Sequence, residues 1–145
     1  MVHMSLVPCH VRYCSQPETF ARALGLAYDA LVHAGYSFDA LAVWDSLKER
    51  IGQGIYMGQG LLLPHARILG LPEPLMSFSV CPSGFSGIKT RGDELGQFLC
   101  VLLSPAESAT AHTVAIAGVA KNLLDENWKK KALAATSEDE LKALF

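Results

Sequence analysis

The stretch Gly58-Gln59-Gly60-Leu61-Leu62-Leu63-Pro64-His65-Ala66-Arg67 decides how this chain is read. Two glycines lead into three consecutive leucines, a short apolar run of the kind that forms a buried strand. Pro64 is expected to end that strand, because proline cannot donate to a ladder. His65 is thereby placed at the carboxyl end of a strand, where ligands bind in open α/β sheets. Position alone leaves this histidine open to a structural role as well as a chemical one.

Outward from that stretch, strands and helices intermix. Towards the N-terminus, a first strand is expected around Val11 to Cys14, with residues 1–14 otherwise irregular. Ser15 and Glu18 match a capping box, and Pro17 suits a first helical turn. Phe20, Leu24, Ala27 and Leu31 follow at helical spacing, with Gly35 as the stop. Ser37 is expected to cap a second helix whose buried side is marked by Leu41, Trp44 and Leu47 and which ends near Arg50. Downstream, Leu75 to Val80 and Gln97 to Leu103 read as strands, separated by a glycine-rich connection from Ser83 to Gly92. Ser104-Pro105 is expected to close the later strand. Beyond it the chain reads as helical: one helix with His112, Ile116, Val119, Ala120 and Leu123 on one face, a shorter one around Trp128 and Leu133, and a last one starting at Ser137. This alternation predicts an α/β fold in which helices cover a central sheet. No linker or tandem repeat divides the 145 residues, which suits a single domain over 1–145.

Composition narrows the function. The formal net charge of −2 gives no general reason to expect nucleic acid or an anionic membrane as partner. The Lys129-Lys130-Lys131 run is offset by Glu126, Glu138, Asp139 and Glu140 and reads as a solvated helix face. The start has no basic n-region or long apolar h-region, and no apolar stretch nears the roughly 18 residues of a membrane span, so an intracellular, cytoplasmic protein is expected. Cys81 and Cys100 sit in apolar segments and read as small buried hydrophobes. Cys9 and Cys14 flank His10, but no second cysteine pair completes a zinc-site pattern, so neither metal nor disulfide is expected. The Gly52–Gly60 loop misses the dinucleotide spacing by one residue and is followed by a strand rather than a helix, and no Gly-Lys-Ser/Thr follows. His112 falls in or near the first turn of its helix, where free N–H groups favour a phosphate. A satisfied core histidine is its other reading.

The Gly-x-Gly-Leu-Leu-Leu-Pro-His-Ala-Arg stretch resembles the enzyme IIA domains of the bacterial sugar phosphotransferase system, fructose/mannitol type, a group that includes nitrogen-regulatory members. The resemblance continues through Asp93, the strand Gln97 to Leu103, Pro105, His112 opening an apolar helix, and the closing Ala134 to Leu141. It implies a mixed sheet with helices on both faces and a reaction needing no cofactor or metal. It further implies that His65 accepts phosphate from a histidine phosphocarrier protein and passes it to a IIB cysteine, or holds it as a signal to a regulated target protein. A membrane would be met only indirectly, through a transporter. His112 would steady the phosphoryl group, with Arg67 and Arg50 as candidate phosphate ligands. The family carries Arg-Glu at the end of its second helix, whereas this chain has Glu49-Arg50. Counting back from His65 puts Glu49 at the arginine's place, so Arg50 serves only with a one-residue shift. The family's Ser/Thr in the next loop is replaced by Gln53, Gly54 and Ile55.

Overall fold

The computed structural model describes residues 7–145, so residues 1–6 of the expected irregular start lie outside the described residues. The elements run β1 (His10–Tyr13), β2 (Glu18–Thr19), α1 (Phe20–Val32), α2 (Ala40–Gln53), β3 (Leu61–Leu62), β4 (His65–Ile68), β5 (Leu75–Val80), β6 (Phe85–Ser86), β7 (Phe98–Pro105), α3 (Ala109–Leu124), α4 (Glu126–Ala134) and α5 (Glu138–Lys142). The main sheet is ordered β1-β5-β7-β3, with β4 also on β7. The β5–β7 pair is antiparallel and the others are parallel, so the sheet is mixed.

Strand β7 is buried along its whole length, and its side chains alternate between two cores. Leu99, Val101 and Leu103 join α1 and α2 on one face. Phe98, Cys100 and Leu102 join α3, α4 and α5 on the other. The expected helix-covered sheet is therefore present, with helices on both faces. Cys81 and Cys100 are fully buried, as their apolar surroundings predicted. Among the described residues, no helix is long and apolar enough to cross a membrane.

Several boundaries differ from the sequence reading, each for a physical reason. Glu18 and Thr19 are extended, because they pair with Phe85 and Ser86 inside the glycine-rich connection. The α1 cap therefore passes from Ser15 to Thr19, whose side chain accepts from Arg22 N. Glu18 instead bonds Arg12 at 2.5 Å and pairs with Arg22 at 2.9 Å. Asp39, not Ser37, caps α2, which buries Val43 and Leu47 but leaves Leu41 exposed and runs on to Gln53, where Gly54 turns at φ 109°. Ser104 and Pro105 are the last two residues of β7, which runs past Leu103 because they pair with Arg67 and Ile68.

The correction that matters most concerns Pro64. It does not terminate the leucine strand. Leu61 pairs with Phe98, Leu62 with Leu99, His65 with Leu102 and Ile68 with Pro105. One offset holds throughout, so β3 and β4 are a single edge strand whose ladder lapses at residues 63–64. Proline has no N–H to give the ladder, so one rung to β7 is lost at this step. The Pro64 carbonyl still accepts from Leu102 N at 3.1 Å, which keeps the register. His65 accordingly opens β4, partway along the edge strand, rather than standing at a strand's carboxyl end.

Candidate functional site

Alternation along the edge strand sets which groups share the site. Ala66 and Ile68 point into the α1–α2 core. His65 and Arg67 must then face the α3 side, because successive residues of a strand point to opposite faces. Arg67 is opposite Ser104 in register. Ser104 is fully buried, one step beyond Leu103 on β7, and it also faces α3. Ser108 caps α3 by accepting from Ala111 N, which fixes the first turn and sets His112 over this corner of the sheet. The rings of His65 and His112 lie 5.3 Å apart, inclined at 45°. Both are half-buried.

The hydrogen bonds distinguish the two rings. His65 Nδ1 is 2.9 Å from the Leu63 carbonyl oxygen, which only accepts. A neutral His65 therefore carries its proton on Nδ1 and leaves Nε2 with a free lone pair. His112 Nδ1 is hydrogen-bonded to the Ser104 hydroxyl. Burial pushes the His112 pKa below its ordinary value, and charge on His65 when that ring is protonated, with the positive charges of Arg67 and Arg50, pushes it further the same way. His112 is thus neutral near pH 7.

Arg67 is exposed and anchors its guanidinium by donating to the Ala106 carbonyl at 3.0 Å. Arg50 lies exposed in the last turn of α2, near enough for its charge to act on His112. The structure therefore brings His65, His112, Arg67 and Arg50 into one electrostatic neighbourhood. Ser104 is the participant that sequence reasoning missed, since there it read as a strand stop. Its signal was a polar residue at the end of an apolar run, at inward spacing from Leu102 and Phe98. At the other candidate place, Cys9 is exposed while Cys14 is buried against the α1 face of the sheet. Among the described residues, no three His, Cys, Asp or Glu side chains converge on a metal position.

An imidazole with a bare nitrogen beside a neutral imidazole and two cations suits an anionic electrophile. The family model described as phosphoenolpyruvate-dependent sugar phosphotransferase system, EIIA 2, matches residues 6–145. The chain belongs to this EIIA 2 family. It is also 28% identical over 123 residues to the PTS system fructose-specific EIIA component of Haloferax volcanii, covering 84% of this chain and 79% of that relative. Solved EIIA-type structures share its fold. The IIA mannitol enzyme of Escherichia coli, determined in complex with phosphorylated IIB, superposes with a TM-score of 0.71 at 19% identity, over 92% of both chains. The nitrogen regulatory protein IIA-Ntr of Neisseria meningitidis gives 0.69 at 21% identity, over 93% of this chain and 92% of that one. As an EIIA 2 protein, the chain has a phosphotransfer role, and the mixed α/β sheet is the family's scaffold for it.

Proposed function

We propose that this EIIA protein carries a phosphoryl group on His65 Nε2, taking it from a phosphorylated histidine carrier protein in the cytoplasm and passing it to the cysteine of a IIB partner. The observation that carries this reading is the hydrogen bond from His65 Nδ1 to the Leu63 carbonyl, beside His112. With Nδ1 protonated, the Nε2 lone pair is available to attack phosphorus in line. The new P–N bond forms as the donor's P–N bond breaks, and the electron pair leaves with the donor imidazole. The positive charge that builds on the His65 ring is met by the Leu63 carbonyl oxygen. Negative charge spread over the equatorial oxygens is met by His112, Arg67 and Arg50. Positioning and electrostatics suffice for such a transfer.

The test is incubation with a phosphorylated histidine carrier, followed by intact mass. The wild type should gain one phosphoryl group that is lost in acid and kept in base, and His65→Ala should gain none. Equal labelling of both proteins refutes the assignment. A second reading is favoured by Glu49 standing where the family has arginine: His65 is phosphorylated but the product regulates a target protein rather than feeding a IIB domain. Rapid discharge by IIB supports the transport reading, and a stable phosphoprotein that changes its binding partner supports the regulatory one.

A further inference from the structure

We infer that Ser104 is a positioning residue that holds His112 in the neutral tautomer with its proton on Nε2, so that His112 offers an N–H donor beside the bare Nε2 of His65. This rests on the reading of His65 as phosphoryl acceptor and adds the group that makes its neighbour a donor.

Hydrogen-bond accounting around the Ser104 hydroxyl selects this tautomer. Ser104 is fully buried within β7. Among the described residues, the hydrogen-bond partner of its hydroxyl is His112 Nδ1. A neutral imidazole has one N–H and one bare nitrogen, whereas a hydroxyl has one O–H and can also accept. Suppose His112 carried its proton on Nδ1. That N–H would donate to Ser104 Oγ, and the buried serine O–H would be left without an acceptor. Buried polar groups are almost always paired, and leaving one unpaired is costly. With the proton on Nε2 instead, the Ser104 O–H donates to bare Nδ1 and both groups are satisfied. The half-buried ring then has Nε2–H as its free group, on the side of the sheet that carries His65 and Arg67.

The second histidine makes the assignment chemically complementary. The Leu63 carbonyl selects the Nδ1–H form of His65. Ser104 selects the Nε2–H form of His112. In their neutral forms the two imidazoles, with centroids 5.3 Å apart, are thus set in opposite tautomers, one as nucleophile and one as donor. No proton has to move between them before the phosphoryl group arrives. Arg67, opposite Ser104 in register, adds a cation that keeps His112 neutral and therefore keeps this distinction in force.

The experiment is long-range nitrogen–proton correlation NMR of the imidazole rings in the full-length protein near neutral pH, with rapid-quench phosphoryl transfer on the same samples. Wild-type His112 should show a pyrrole-type Nε2 and a pyridine-type Nδ1. Ser104→Ala should turn this into a tautomer mixture and slow transfer to His65 about tenfold, with carrier binding unchanged. Ser104→Thr keeps the hydroxyl and should restore both. A wild-type spectrum with the proton on His112 Nδ1 overturns the inference even if the alanine variant fails to fold. So does a folded Ser104→Ala protein with the wild-type tautomer and rate. If the tautomers are as stated but His65 takes no phosphate, Ser104's role in setting the tautomer is supported while the phosphoacceptor reading falls.

Discussion

Replacing Arg50 by glutamine should slow phosphoryl transfer to His65 about thirtyfold without unfolding the protein. Arg50 is exposed at the end of α2, so its charge acts through largely aqueous surroundings. At a contact distance of about 4 Å, two unit charges interact by about 1 kcal/mol in water. A phosphoryl group carries close to two negative charges, so the loss is about 2 kcal/mol. A barrier raised by about 2 kcal/mol slows the step roughly thirtyfold. Rapid-quench measurement with phosphorylated carrier protein reads that rate. The same substitution has a second consequence that requires no substrate. Arg50 is one of the cations that depress the His112 pKa, so removing it should let His112 titrate at higher pH, measurable by NMR. Both effects should shrink as ionic strength rises, because exposed charges are screened. Glu49→Gln should leave rate and titration nearly unchanged. An Arg50→Gln protein with the wild-type rate and an unmoved His112 titration would refute this reasoning, and a large loss in Glu49→Gln would return the site to the position that sequence counting assigns.

Glu18→Gln should destabilise the fold by about 3 kcal/mol in urea melts, because it strands Arg12, whose side chain is only 20% exposed. Burial alone would raise the Glu18 pKa, but hydrogen bonds from Arg12 and Cys14 and the charges of Arg12 and Arg22 hold it below the usual value. Its contribution is therefore complete above the unfolded carboxyl pKa and fades as pH falls through the folded one, so mutant and wild type should converge in acid. His112 acts in the same direction at higher pH. Its folded pKa is depressed, so its contribution is full above an unfolded value of about 6.5 and is lost as pH falls through the folded pKa. Melting temperature should drop below pH 6.5 in the wild type, and less steeply in His112→Gln. Gly96→Ala should cost about 2 kcal/mol, because its new Cβ would stand 2.9 Å from Cδ1 of the fully buried Leu62. Gly52→Ala, with nothing within 4 Å and a helical backbone, should stabilise by about 0.5–1 kcal/mol. Paired thermal melts of the two variants check the opposite signs.

Much of this protein was legible in one dimension because the relevant physics is local. Leu75–Val80 and most of β7 are apolar runs flanked by turn residues, and a run of that kind is buried wherever it is placed. The α1 helix repeats its apolar residues at the helical period and buries those positions, while α3 buries Val119 and Leu123 of its expected face. The Pro-His step marked His65, and the helix start marked His112. By itself the sequence determined the long helices and the long strands β5 and β7, that a layered α/β domain results, and which two histidines to suspect, but not the short strands β2, β4 and β6. Only the tertiary structure decided the rest. Thr19 displaced Ser15 as a cap because Phe85 and Ser86, far along the chain, hold Glu18 and Thr19 extended. Pro64 proved an interruption rather than an end because β7 supplies a register that carries across it. That the Arg50 charge reaches His112 depends on how the end of α2 turns towards the sheet, which a residue count cannot show. The tautomers of the two histidines depend on a carbonyl two residues away in one case and on a serine from a different strand in the other. Periodicity records which face of an element is apolar, whereas the partner of a buried polar atom is set by where the whole chain brings its donors and acceptors together.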